Sequence, residues 1–116
     1  MDRYSLKYIQ DMYDSIESIE EMLSEYERKY EVYNSTKILQ LAVERNFEII
    51  GEAATKLIKH NPDVNITNVK KIISLRNLIA HAYDSITNVD IWNVIINHLP
   101  VLKTELKFYL DKYPDV

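Results

Sequence analysis

Residues 39–58 read LQLAVERNFEIIGEAATKLI, the most apolar stretch of the chain. Apolar side chains recur there at intervals of three and four residues and cover more than one face of a helix. A helix of that kind lies in the middle of a bundle, where several of its faces are buried. We therefore predict a central second helix that ends near Lys59 and takes its N-cap from Asn34, Ser35 or Thr36.

Three other segments show helical spacing. The first helix is predicted from near Ser5 to near Tyr30. Identical ITNV tetrads at residues 66–69 and 86–89 open the third and fourth helices, because Thr and Asn are good N-caps, and Pro100 should kink or restart the fourth. One glycine and three prolines leave little material for hairpins. The prediction is an all-α fold, a mostly antiparallel four-helix bundle with a kinked fourth helix, in a single domain over residues 1–116.

Composition is that of an ordinary globular protein, with 47% hydrophobic and 28% charged residues. The chain has no cysteine, no secretory leader pattern and no apolar run long enough to span a bilayer, so we expect a cytoplasmic protein with no membrane contact. The net charge of −4 does not indicate a nucleic-acid-binding protein. However, acids dominate residues 1–34 and bases dominate residues 56–81, and a local positive patch can bind phosphate. Two solvated helix faces are the simpler interpretation.

Two features of the central helix indicate that particular groups pack against it. Gly51 lies in mid-helix, where glycine costs about 1 kcal/mol relative to alanine, so we expect another backbone or a ligand to pass close by. Glu44, Glu48 and Glu52 recur every four residues and would repel one another unless cations face them. A di-metal carboxylate bundle would also need Glu-x-x-His pairs, which the sequence lacks, so no metal site is predicted. We expect Glu52 to pair with Lys56, and a neighbouring glutamate to brace an arginine.

The chemistry is predicted in the third helix, within residues 74–83, which read SLRNLIAHAY. Arg76 shares a helix face with apolar residues three and four positions away, and a half-buried charge is costly unless it is paired or used. Arg76 and His81 are five residues apart, so they diverge by about 140° on a regular helix. Either the helix loosens near His81, or both residues border a groove shared with a partner.

Metal-free RNA cleavage needs few groups: one that takes the proton of a 2′-hydroxyl, one that stabilises charge on phosphorus, and one that protonates the leaving oxygen. Histidine can act as base or acid, and arginine matches phosphate with two N–H donors. One motif histidine per chain is too few for both roles, but a symmetric dimer would supply a second. A lone histidine is more often structural than catalytic, so residues alone leave the assignment open.

The segment Arg76-Asn77-Leu78-Ile79-Ala80-His81 resembles the R-x4-6-H signature of HEPN domains. With Ala82-Tyr83 it becomes R-x4-H-x-Y, which is similar to the HepT toxins of MNT–HepT toxin–antitoxin pairs. Residues 44–54 also resemble the corresponding HepT helix. The resemblance covers nearly the whole chain.

This resemblance implies a homodimer with the two motifs at an interface cleft. It implies a metal-independent endoribonuclease that needs no cofactor, with Arg76 and His81 as the catalytic pair and Asn77 in support. It also implies an RNA substrate and a partner in a type VII-like toxin–antitoxin pair. That partner is an MNT nucleotidyltransferase, which in such pairs transfers AMP from ATP to the motif tyrosine, here Tyr83. Negative charge and bulk added there would oppose RNA binding.

Two other interpretations stay open at this point. One is a non-catalytic HEPN dimer that binds a nucleotidyltransferase or a nucleotide. The other is a structural helical module, in which a glutamate of the second helix neutralises Arg76 and shields it from any cleft.

Overall fold

The computed structural model describes residues 1–67, 69–81 and 87–114, apart from the side chain of His81. Within these ranges the chain forms helices and no strand, which confirms the all-α prediction. The helices are α1 Arg3–Leu23, α2 Tyr30–Ser35, α3 Lys37–His60, α4 Val69–His81, α5 Asn88–Asn97 and α6 Leu99–Lys112. The four predicted segments correspond to α1, α3, α4 and the pair α5–α6.

Helix α3 is central, as predicted, since it packs against both α1 and α4. Helix α1 runs antiparallel to α3 and also to α6. His60, at the end of α3, contacts Asp2 at the start of α1, with 2.5 Å between Nε2 and Oδ2. Lys103 of α6 binds Glu20 near the end of α1, with 2.6 Å between Nζ and the carboxylate. The core between the helices is built from fully buried aliphatic and aromatic side chains, among them Ile9, Ile16, Ile19, Tyr33, Val43, Phe47, Ile50, Leu57, Ile72 and Leu106.

The first helix is shorter than predicted. It ends at Leu23, and the chain turns before α2 begins at Tyr30. The Ser24 hydroxyl donates to the backbone carbonyl of Glu21 (2.6 Å), and the N–H of Tyr26 donates to the carbonyl of Leu23 (3.1 Å). Residues 24–29 are all exposed, so no packing sustains a helix there. The turn lets α2 fold back and place the ring of Tyr33 in the core.

Helices α3 and α5 begin near the predicted positions, but only one of the two expected side-chain caps forms. Thr36 precedes α3, but its hydroxyl donates to the Val32 carbonyl (2.6 Å) and caps no N–H of the helix. The two ITNV tetrads also differ. The Thr87 hydroxyl accepts the backbone N–H of Asp90 and caps α5 as predicted, whereas Thr67 donates through its hydroxyl and its N–H to Glu105 of α6.

The fourth segment is restarted and not merely bent. Helix α5 ends at Asn97, and α6 begins at Leu99 with Pro100 in its first turn, where the missing proline N–H has no intrahelical partner to lose. None of the helices among the described residues is long and apolar enough to cross a membrane.

Candidate active site

Arg76 lies at the edge of the buried face of α4. The neighbouring positions Ile72, Leu75 and Ile79 are buried, while the Arg76 side chain keeps 27% of its surface exposed. The sequence placed Arg76 in the apolar stripe, and the structure places it beside the stripe. Its aliphatic part is covered and its charged end reaches solvent, as is usual for a long cationic side chain at a core boundary.

Gly51 of α3 makes room for Arg76. A Cβ added at Gly51 would overlap Cβ and Cγ of Arg76 and would lie 3.3 Å from its Cδ. The close approach predicted at this glycine is therefore confirmed, but the neighbour is an arginine side chain, not a backbone or a ligand. The aliphatic part of the Arg76 side chain thus occupies the space that a side chain at position 51 would fill.

Two partners orient the guanidinium. Nη1 of Arg76 donates to Oδ1 of Asn77 (3.0 Å), and Nη2 donates to Oε1 of Glu52 (3.2 Å). Nε is buried and has no hydrogen-bond partner among the described residues. Asn77 and Glu52 together therefore restrict the orientation of the guanidinium.

The ion pair of Glu52 differs from the prediction. Glu52 binds Arg76 across the α3–α4 interface, and the expected pair with Lys56 is wrong. Its neighbour Glu48 does brace an arginine, namely Arg45 on the same helix (3.2 Å). Sequence spacing reveals partners one turn away but not partners on another helix, which is why Glu52 was assigned to Lys56.

The remaining motif residues are only partly covered by the structure. Helix α4 continues through His81, so the helix does not loosen before that residue, and the Cα positions of Arg76 and His81 are about 140° apart around the axis. The side chain of His81 and the whole of Tyr83 lie outside the described residues. The roles of Arg76, Asn77, His81 and Tyr83 thus stay predictions, with Arg76 and Asn77 brought into contact.

No group of three or more His, Cys, Asp or Glu side chains forms a potential metal site in the described part of the chain. Sequence reasoning did not identify Glu52 as the partner of Arg76. The sequence does contain one indication of this contact: Gly51, which can admit a close neighbour, is followed directly by the acidic Glu52.

Comparisons with known proteins find one family model and two relatives named as RNases. The model of the HepT-like family, which is described as "Ribonuclease HepT-like", matches residues 12–108. The chain is 30% identical over 100 residues to "Putative RNase MJ1380" of Methanocaldococcus jannaschii, covering 83% of this chain and 90% of that protein. It is 25% identical over 104 residues to "Putative RNase MJ1216" of the same organism, covering 83% and 81%. No solved structure matches the chain significantly.

Proposed function

The chain belongs to the HepT-like ribonuclease family, and from this membership and the geometry around Arg76 we propose that it is an endoribonuclease. The family match and the names of both relatives support an RNase-type activity. The observation that carries the proposal for this chain is the support given to Arg76. Gly51 admits its stem and Asn77 fixes its guanidinium at the surface, where a phosphate can reach it.

In the proposed reaction, Arg76 binds the scissile phosphate and stabilises the charge that develops on it. His81 takes the proton of the 2′-hydroxyl, whose oxygen then attacks the adjacent phosphorus. The bond to the 5′-oxygen breaks, and that oxygen leaves with a proton. The products are a 2′,3′-cyclic phosphate and a 5′-hydroxyl, and no metal ion takes part.

Acid and base are both supplied by a homodimer in this proposal. Arg76 and His81 stand about 140° apart on a helix that stays regular through His81, so they serve one phosphate best in a groove that a second copy completes. A two-fold axis at that groove brings in the partner's histidine as the second proton-transfer group.

A path for the RNA backbone is offered by the end of the α3–α4 hairpin. Four exposed lysines lie there, and none of them forms an ion pair with a described residue: Lys56, Lys59, Lys70 and Lys71. Unpaired lysines lose no existing partner when they bind phosphate, and neutralising phosphates is the main source of nucleic-acid affinity. The acidic net charge therefore does not prevent local binding.

The regulatory part of the proposal is a toxin–antitoxin pair. An MNT nucleotidyltransferase would transfer AMP to Tyr83: the phenol oxygen attacks the α-phosphorus of ATP, and pyrophosphate leaves. The resulting phosphodiester carries a negative charge two residues from His81, where it would repel the RNA backbone.

The structural alternative has one observation in its favour, because a glutamate of α3 does pair with Arg76. Against it, the Arg76 side chain keeps 27% of its surface exposed, so its charged end remains accessible to a ligand. A non-catalytic dimer that binds a nucleotidyltransferase or a nucleotide is the remaining alternative, and it predicts partner binding without cleavage.

A cleavage assay on cellular RNA in excess chelator tests the proposal. Arg76→Ala and His81→Ala should abolish cleavage, whereas the matched controls Arg45→Ala and His60→Ala should keep it, because these remove the same side-chain types elsewhere on the surface. All variants are first checked for helicity and oligomeric state, and intact mass shows that Tyr83 is unmodified. Chelator-resistant cleavage with 2′,3′-cyclic phosphate ends supports the proposal. No cleavage by the unmodified wild type refutes it and leaves the binding dimer.

A further inference from the structure

A cavity of about 610 Å³ opens beside the C-terminal half of α4. Its walls come from α2, the first half of α3, the end of α4 and the start of α5, and they include Tyr30, Asn34, Lys37, Glu44, Ile79 and Asn88. We refer to it as the Glu44 cavity. Its volume lies in the range of small-molecule sites, about 300–1,000 Å³. Most of the polar side chains on its wall have no role in the site described above.

Glu44 is the most informative residue of this wall. It is half-buried, and burial raises the pKa of its carboxyl above the usual value, partly offset by the charge of Lys37. On the same helix face, Glu48 is paired with Arg45 and Glu52 with Arg76. Glu44 forms no hydrogen bond or ion pair with any described residue. Of the three acids on this helix face, Glu44 is thus the one whose carboxylate oxygens make no hydrogen bond to a described residue and can accept N–H donors from a ligand.

The neighbouring side chains add complementary groups. Nδ2 of Asn88 donates to Oδ1 of Asn34 (2.9 Å), which joins α5 to α2 and leaves the NH2 of Asn34 and the carbonyl of Asn88 for a ligand. The half-buried ring of Tyr30 offers a surface on which a base can stack. Lys37 brings one cation to the same wall. An aromatic ring, a carboxylate, amides and a lysine together suit a nucleotide.

The cavity lies close to the arginine site. Ile79 is three residues beyond Arg76 on α4, a rise of about 4.5 Å, and Glu44 is two helical turns before Glu52 on α3, about 12 Å along the axis. A short stretch of extended RNA bound by its phosphate at Arg76 can therefore reach the cavity with a neighbouring base.

We propose that the Glu44 cavity binds a guanine base of the RNA substrate, adjacent to the phosphate held by Arg76. This proposal rests on the proposed ribonuclease function. Guanine is the base whose Watson–Crick edge presents two neighbouring N–H donors, N1–H and the N2 amino group, to the two oxygens of one carboxylate. Adenine and cytosine place a ring acceptor beside their amino group, which a carboxylate repels, and uracil has a single N–H. The cavity thereby gives the enzyme a preference for the base beside the cut.

The first test maps cleavage sites on an RNA of random sequence. The wild type should cut with a guanine at one fixed position, and Glu44→Gln should lose that preference by about 5- to 150-fold, the range for a bidentate contact to a base. Glu48→Gln is the matched control, because it removes a carboxylate from the same helix face but outside the cavity. Cleavage by the wild type without a base preference, or a preference unchanged in Glu44→Gln, overturns the proposal.

The second test does not need cleavage. In an NMR titration of the wild-type protein, guanosine monophosphate should shift the amide signals of the cavity residues more strongly than inosine monophosphate, which lacks the N2 amino group. Glu44→Gln should remove this difference. If the wild type cuts no RNA but shows this Glu44-dependent binding, the ribonuclease proposal fails and the base site stands. If RNA is cut but neither nucleotide shifts the cavity signals, the base site fails alone.

Discussion

Replacing Gly51 with alanine should destabilise the protein, although alanine is the better helix former. The added methyl group would overlap Cβ and Cγ of Arg76. Cβ moves only with the backbone of α4, so the two helices must separate slightly to accept it. Overpacking of this kind costs about 1–3 kcal/mol, while alanine contributes about 1 kcal/mol over glycine inside a helix. Because the blocked atom is fixed to the backbone, the upper half of that range applies, and the net loss should be about 1–2 kcal/mol.

A double-mutant cycle isolates the cause. In an Arg76→Gly background both overlapping atoms are gone, so Gly51→Ala should now stabilise the protein by about 1 kcal/mol through helix propensity alone. Arg76→Ala is the informative intermediate, since it removes Cγ but keeps Cβ, and Gly51→Ala should still destabilise it.

Urea unfolding followed by circular dichroism, at one fixed protein concentration, measures each free energy in the cycle. The expected result is a change of sign between the wild-type and Arg76→Gly backgrounds. If Gly51→Ala stabilises the wild type as much as it stabilises Arg76→Gly, the two residues do not touch as described, and the support assigned to Arg76 is wrong.

Two further predictions concern the acids of α3. Glu52→Gln should change the free energy of unfolding by less than about 1 kcal/mol, because both partners of this ion pair are partly exposed. In a His81→Ala background that prevents cleavage, the same change should tighten RNA binding in a filter assay, since a carboxylate no longer competes with phosphate for Arg76. Weaker binding would contradict this. Glu44→Gln should be more stable than the wild type at neutral pH. Burial raises the pKa of Glu44, so folding favours its protonated form. That stabilisation is present at low pH and is lost as the pH rises through the folded-state pKa. Urea unfolding at about pH 7 and about pH 4 should show the advantage of Glu44→Gln shrinking in acid, and an advantage independent of pH would rule out this explanation.

Much of the fold follows from local patterns. The apolar periodicity of residues 39–58 predicted the central helix, and Pro100 predicted a kink or a restart in the last segment, which the structure shows to be a restart. The end of α1 could not be read in the same way. Tyr26 and Tyr30 continue the apolar spacing of α1, but Tyr26 is exposed and Tyr30 opens a new helix. Periodicity shows which residues could share a face, and it does not show whether another element covers that face.

In the candidate site too, contacts between sequence neighbours could be predicted and contacts between helices could not. Arg76 and Asn77 adjoin in sequence, and their contact could be predicted from the motif. The pairing of Glu52 with Arg76 joins two helices and needs their register, which no local pattern supplies. The Glu44 cavity is harder still to predict, because four helices contribute to its wall. The even spacing of the three glutamates is visible in the sequence, but not that Glu44 is the one without an ion-pair partner among the described residues.

The arrangement around Arg76 contributes little to stability, which argues for a role in function. A glycine in mid-helix costs about 1 kcal/mol relative to alanine, and Gly51 is needed only because Arg76 occupies the space of its missing side chain. The ion pair that this position permits is half-exposed and contributes about 0.2–1 kcal/mol. The buried Nε adds a donor with no partner among the described residues, which is a further cost. An alanine at position 51 facing a small apolar residue at position 76 would hold α3 and α4 together at least as well. What the observed pair provides is an oriented guanidinium at the surface, which is the group that the proposed reaction uses to bind phosphate.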